Sequence, residues 1–327
     1  MKAYFFVITP LNYLYALQAS LDDRFAFEEK HLIVLSDYNR SLRQFKSIID
    51  ENQWDSVKYP WNGKNKKTKN KLKSILSELY NYITFRLIYR QIRQTDAIIF
   101  WGNYNHKYLK LIKLQNDLVF VLDDGFSTVN ILRREENQVL KEKEFNNYSF
   151  YTVFNVESTK FKIVRHRLEN ITNYNYRPFF EDNIYFLGQP LVYNNVISAK
   201  KYIDYVNDIF KFYSNKGKNC YYLPHRSTNR EYIPSNWNLL DFDFPIEYID
   251  KLESQKTPGY FMTFYSTGVY NLMQLYNMDI QKCIFWEIPS DWINEKYKTD
   301  IENIYVYLKS NNYFVKNIKE LTIYIND

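Results

Sequence analysis

Glycine is scarce, with seven in 327 residues. No G-x-G-x-x-G and no G-x-x-x-x-G-K-[ST] occurs. That excludes the dinucleotide fingerprint and the P-loop, which both need glycine where backbone closes on phosphate. Cysteine is limited to Cys220 and Cys283, each in an apolar run and with no C-x-x-C. Two buried thiols in a reducing compartment fit this pattern better than a disulfide frame. The four histidines, His31, His106, His166 and His225, form no H-x-x-x-H or similar pair, so no histidine-based metal site is expected. Long hydrophobic runs are also missing. No uninterrupted apolar stretch reaches the roughly 20 residues that span a bilayer. The apolar start MKAYFFVITPLNYLYALQ is broken by Thr9, Pro10 and Asn12, with no small-residue cleavage site behind it. The expectation is a cytoplasmic protein, its membrane role limited to peripheral contact at the inner face.

What is present is aromatic. Tyr (32) and Phe (24) help bring the apolar fraction to 46%, and charged residues make up 24%, a balance that supports a packed core and argues against wholesale disorder. The length suits one large domain or two ordinary ones. The net charge of +6 fits an anionic ligand such as a nucleotide, an acidic sugar or a lipid surface, and does not by itself indicate nucleic acid.

Short apolar runs alternate with helical periodicity through the first half. AYFFVI (Ala3 to Ile8), HLIVLSD (His31 to Asp37), DAIIFWGN (Asp96 to Asn103) and VFVL (Val119 to Leu122) read as strands, with NYLYALQASL, Ser41 to Ile49 and HKYLKLIKL as helices between them. The middle, roughly 130 to 182, has weaker periodicity. The pattern restarts after NIYFLGQPLV (Asn183 to Val192), with a helix over Ile197 to Tyr213 and strands at NCYYLPHRS, GYFMTFYSTG, CIFWEIP and NIYVYL. Strands separated by helices predict parallel sheets covered on both faces. The expected fold is α/β and GT-B-like: two Rossmann-like domains, 1–188 and 189–327, facing a cleft. No repeat of 20 to 50 residues is visible.

KNKKTKNKLK (64 to 73) carries six lysines. A solvated loop is the plain reading, and contact with anionic lipid or an anionic acceptor is the other. The helix-like stretch after it places Arg86, Arg90 and Arg93 at three- to four-residue spacing, the wet face of a core helix or a membrane-surface face.

Three polar clusters follow three apolar strands, where ligands bind in open parallel sheets. Asp123-Asp124-Gly125 offers a carboxylate whose affinity for a proton rises with burial and an adjacent like charge, or else a pair of helix caps. Pro224-His225-Arg226 offers a phosphate contact, with arginine as a bidentate fork, or else a basic loop. Ser266-Thr267-Gly268 precedes the helix-like GVYNLMQLY, where hydroxyls and free amides hold anions or an ordinary N-cap sits.

In this order the clusters resemble the motif set of bacterial sialyltransferases, nearest the lipooligosaccharide sialyltransferases of glycosyltransferase family 52, with polysialyltransferases and multifunctional marine-type enzymes as cousins. TPLNYL, YFLGQPL and FPIEYI (Phe244 to Ile249) extend the resemblance over most of the chain. Two departures stand out: the proline precedes His225 instead of following it, and Thr267 replaces a common second serine. The resemblance implies an inverting, metal-independent transfer of sialic acid or a related nonulosonic acid from a CMP-activated donor to a bacterial surface glycan, a lipooligosaccharide or capsule. No cofactor is implied. The N-terminal domain would hold the acceptor and the C-terminal domain the CMP. Asp124 would be the base, with Asp123 as its neighbour or the base itself, and His225 would stabilise the leaving phosphate. Arg226, Ser266, Thr267 and Gly268 would hold phosphate oxygens, and Glu247 would accept from the ribose hydroxyls or simply begin a helix. Thr9, Asn103 and His106 are the acceptor-side candidates. Two alternatives are a GT-B glycosyltransferase using a UDP- or GDP-sugar, and a non-catalytic basic protein that binds membrane or polyanion.

Overall fold

The computed structural model describes residues 1–36, 39–60, 71–92, 97–104, 109, 118–136, 148–171, 180–225, 228, 230–242, 244–251 and 258–322. Its chain divides into two units, Met1–Ile171 with Asp243–Pro245, and Thr172–Phe242 with Ile246–Asp327.

The first unit is built on a seven-stranded sheet. Its strands are β1 (Lys2–Val7), β2 (Glu29–Val34), β3 (Ser56–Lys58), β4 (Ala97–Trp101), β5 (Val119–Leu122), β6 (Ser149–Thr152) and β7 (Lys162–Arg165), in the order β3-β2-β1-β4-β5-β6-β7. Every pairing is parallel. The helices α1 (Pro10–Ser20), α2 (Asn39–Ile48), α3 (Lys71–Ile92) and α4 (Ser127–Glu136) lie between strands in sequence. β4 and β5 are buried along their whole length, as a parallel sheet covered on both faces requires. The many aromatics do this work. Phe5, Phe100 and Phe120 sit in register on adjacent strands and stack at 4.7 and 5.2 Å. The opposite face carries Phe6, Trp101 and Phe85. Offset ring pairs of this kind add about 0.5–1.5 kcal/mol each beyond the area they bury.

The second unit repeats the topology. β8 (Phe180–Leu187), β9 (Asn219–Leu223), β10 (Asn238–Leu239), β11 (Pro258–Thr263), β12 (Cys283–Glu287) and β13 (Val315–Asn317) form a six-stranded parallel sheet ordered β10-β9-β8-β11-β12-β13. Its helices are α5 (Ala199–Ser214), α6 (Thr267–Tyr276), α7 (Glu295–Ser310) and the short α8 (Lys319–Thr322). In both units the chain winds outward through three strands and then crosses back to the other side of the first. The order reverses between β1 and β4 and again between β8 and β11, and such reversals open a crevice beyond the strand ends.

The fold differs from the sequence expectation at three points. The division between units falls after Ile171, so β8 opens the second sheet and does not close the first unit. NIYVYL is not a strand but part of α7, where Ile301, Ile304, Tyr305 and Leu308 are buried at helical spacing. A short apolar run reads either way by periodicity. The weakly patterned middle contains β6 and β7, four residues each. Both cysteines are free and buried, and burial raises both thiols. Among the described residues no helix is long and apolar enough to cross a membrane.

Candidate functional site

Each unit gathers polar side chains where its strand order reverses. In the first unit the ends of β1, β4 and β5 meet around Asn12, a wholly buried residue in the first turn of α1. Thr9 begins that helix. Its hydroxyl accepts from the Asn12 amide at 3.2 Å while Asn12 Oδ1 accepts from the Thr9 amide at 3.1 Å, a reciprocal cap. Asn12 Oδ1 also accepts from the Ile8 amide at 3.3 Å, and its Nδ2 donates to the Asp123 carbonyl at 2.8 Å. One amide side chain therefore ties the end of β1 to the end of β5. β4 passes between them at Gly102, whose amide donates to the Phe6 carbonyl at 2.8 Å. A Cβ there would come within 2.7 Å of the Asn12 side chain.

The two adjacent aspartates face different surroundings. Asp123 is fully buried. Its Oδ2 accepts from the Val153 amide at 2.7 Å, tying β5 to the end of β6, and its Oδ1 has no hydrogen-bond partner among the described residues. Burial pushes its carboxyl up to about 7; the Val153 amide and the hydroxyls of Thr152 and Thr128 pull the other way. Asp124 is only half-buried and accepts from Asn103 Nδ2 at 3.1 Å. Gly125 follows with φ +67°, in the left-handed region that glycine enters without strain. Ser127 Oγ then donates to the Asp124 carbonyl at 2.5 Å, and α4 begins. The pair thus gives one carboxyl that holds the strand ends together and one presented carboxylate. Of the acceptor-side candidates, Thr9 is engaged in the helix cap, Asn103 orients Asp124, and His106 lies outside the described residues.

In the second unit β8 and β11 are joined by Gln189. Its Oε1 accepts from the Tyr265 amide at 2.9 Å and from Thr263 Oγ1 at 3.2 Å, and Thr263 Oγ1 is also within 3.0 Å of the Leu187 carbonyl. β11 then runs into Ser266, whose hydroxyl caps α6 by accepting from the Gly268 amide at 3.2 Å. Thr267 is the first residue of α6. Gly268 sits against Ile246, since a Cβ on it would lie 3.1 Å from Ile246 Cγ2. The next residue, Glu247, accepts from Asn271 Nδ2 at 3.3 Å, and its carbonyl accepts from Tyr276 Oη at 3.1 Å. α6 therefore carries both a hydroxyl-lined N-terminus and the two contacts that hold Glu247. Burial raises the Glu247 carboxyl. His225, half-buried, follows the end of β9, where its carbonyl accepts from the Thr228 amide at 2.8 Å. Arg226 lies outside the described residues. Among the described residues no group of three His, Cys, Asp or Glu could hold a metal ion.

Sequence reasoning missed Asn12 and Gln189, the two buried amides that shape these clusters. The signals were present: a polar residue three positions after Thr9 in an otherwise apolar turn, and another beside the Gly188-Pro190 break.

No family model matches the chain, and no curated protein matches it in sequence. Solved structures do share its fold. The UDP-GlcNAc 2-epimerase of Methanocaldococcus jannaschii, in complex with UDP-GlcNAc and UDP, superposes with a TM-score of 0.52 at 13% identity, over 99% of this chain and 91% of that one. A second structure of UDP-GlcNAc 2-epimerase from the same organism has a TM-score of 0.48 at 14% identity, over 94% and 92%. The two units are Rossmann-like α/β domains of the GT-B kind. The comparison corrects the sialyltransferase resemblance: the fold is that of UDP-GlcNAc 2-epimerase, and no sequence-level match supports family 52. The CMP-nonulosonic acid donor and the lipooligosaccharide or capsule acceptor lose their basis with it. The motifs misled for a physical reason. Ligands bind beyond the carboxyl ends of the strands in doubly wound sheets of many kinds, so polar clusters there report the architecture before they report a donor.

Proposed function

We propose that this protein is a GT-B-like glycosyltransferase that takes a UDP- or GDP-sugar as its donor. One observation carries the reading: α6 brings together, at the β8/β11 reversal, the two kinds of group a nucleoside diphosphate needs. Its N-terminus, with Ser266 and Thr267, offers amides and hydroxyls to phosphate oxygens. Asn271 on the same helix holds Glu247, a carboxylate suited to the hydroxyls of a ribose. The fold shared with an epimerase solved with UDP-GlcNAc and UDP supports a sugar nucleotide of this class.

On this reading the bond between the sugar and the diphosphate breaks and a bond to an acceptor hydroxyl oxygen forms. The hydroxyl proton must pass to a general base; in the first unit Asp124, the carboxylate that Asn103 orients, has the chemistry for that role. Charge on the departing diphosphate is met by the α6 N-terminus and by His225. Asp123 acts on Asp124 through the β5–β6 tie, as a positioning residue.

Thermal unfolding with a panel of nucleotides tests the reading. UDP or GDP at about a hundred times its Kd should add about 2.7 kcal/mol of apparent stability, and CMP should add none. A panel in which CMP alone stabilises, or in which no nucleotide does, would sink it.

A further inference from the structure

Helix α3 has two apolar faces. One is accounted for: Phe85, Tyr89 and Ile92 are buried in the core of the first unit, with Ile88 packed beside them. The other is not. Ile75, Leu76, Leu79, Tyr80, Ile83 and Leu87 are all exposed, Leu79 by 52% and Leu87 by 59%. At 100° per residue they fall on one stripe, roughly opposite Phe85 and Tyr89. A stripe of six large apolar side chains is well beyond the scattered exposure normal on a protein surface.

The charge around the stripe selects its occupant. Arg86 and Arg90 are exposed on the same side of the helix as the stripe. The chain leading into the helix carries six lysines between 64 and 73; residues 64 to 70 lie outside the described residues and count here only as sequence. Against these cations α3 has one acid, Glu78. Two copies of the stripe packed together would set cation against cation, which disfavours a second copy of the chain. Apolar side chains with exposed arginines on the same side match the boundary between the acyl chains and headgroups of an anionic leaflet.

We infer that the outer face of α3 seats the protein on an anionic lipid bilayer. The helix lies in the plane of the interface, with Ile75, Leu76, Leu79, Tyr80, Ile83 and Leu87 buried among the acyl chains and Arg86 and Arg90 at the lipid phosphates. This inference is independent of the nucleotide-sugar reading.

Sedimentation of the full chain with vesicles tests it. Vesicles of mixed phosphatidylglycerol and phosphatidylcholine should bind the protein at least tenfold more tightly than phosphatidylcholine alone, and binding should weaken as salt shortens the Debye length. The triple variant L76S/L79S/I83S and the double variant R86E/R90E should each lose tenfold or more of that binding. These side chains are exposed, so both variants should melt with the parent. The idea is overturned if the parent binds neither vesicle, binds both alike, or binds anionic vesicles undiminished by either variant. A parent that elutes as a dimer which the triple variant dissolves would also overturn it, assigning the face to a second copy.

Discussion

The two strand-order reversals solve one problem with opposite chemistry. In each, a buried side-chain amide takes up polar groups at the strand ends: backbone groups alone at Asn12, a backbone amide and a hydroxyl at Gln189. Asn12 reaches across β4 to the end of β5, whereas Gln189 reaches only to the neighbouring strand, β11. Beyond the bridge the first unit presents a carboxylate, Asp124, and the second presents a capped helix start with its hydroxyls. Equivalent positions in the same topology therefore favour a cationic or proton-donating group in one unit and an anion in the other. Topology fixes where the sites fall, and the residues placed after the strand decide what each can bind.

The sharpest test of the contrast concerns Asp123, the wholly buried carboxyl at the end of β5. Its carboxyl is raised to about 7 by burial. A raised carboxyl favours the protonated native state, so its contribution to stability is complete below about pH 4. That contribution is lost as pH rises to about 7 and is constant above it. The span corresponds to about 4 kcal/mol. In Asp123→Asn, the side chain can still accept from the Val153 amide but no longer ionises. Denaturant titrations across pH 4 to 8 should show the variant gaining on the parent as pH rises through that window. A gap that does not change with pH would mean that Asp123 is not held protonated.

Replacing the bridges compares them directly. Asn12→Ala leaves the amides of Ile8 and Thr9 and the carbonyl of Asp123 without their partner, and should cost about 3 kcal/mol or more. Gln189→Ala frees the Tyr265 amide and one of two contacts of the Thr263 hydroxyl, and should cost about 2 kcal/mol. Equal losses in urea unfolding would show that the longer reach of Asn12 adds nothing.

Asp124→Asn keeps the shape of the presented carboxylate and removes its charge. On the proposed reading it should lower turnover of the sugar nucleotide about a hundredfold, or about 2.7 kcal/mol of barrier, with the melting temperature nearly unchanged. Near-normal turnover would remove Asp124 from the proton-acceptor role.

Much of this was legible from residues alone. Both halves were readable as α/β because strands buried on two faces appear as continuous apolar runs, as in FFV, IIFW and CIFW. Sites at strand ends were readable because polar residues stop those runs abruptly. The roles inside the clusters were not. Asp123 and Asp124 are identical in sequence, and they separate only when β6 brings the Val153 amide to one of them. The spare apolar face of α3 was hidden because a helix apolar on two sides averages to a weak periodicity. The hint lay in the charges, the lysine run before the helix and Arg86, Arg90 and Arg93. β7 was missed because KIVR, an edge strand with only Ile163 and Val164 half-buried, is too short to show a period.

The smallest expected effect is the most discriminating. Ser266 is both the cap of α6 and a proposed phosphate contact. Loss of a serine cap costs about 1 kcal/mol, so Ser266→Ala should lower stability by that much whether or not a ligand binds there. If the hydroxyl also meets a diphosphate, the stabilisation conferred by UDP or GDP should shrink in the variant beyond the change in the ligand-free protein. Gly at 266 separates the two roles, because glycine caps nearly as well as serine yet offers no hydroxyl. Ser266→Gly should melt close to the parent without nucleotide and fall behind it with nucleotide. Should it keep the full nucleotide shift, the amides of the helix start would be sufficient for the anion, and the serine would belong to the fold alone.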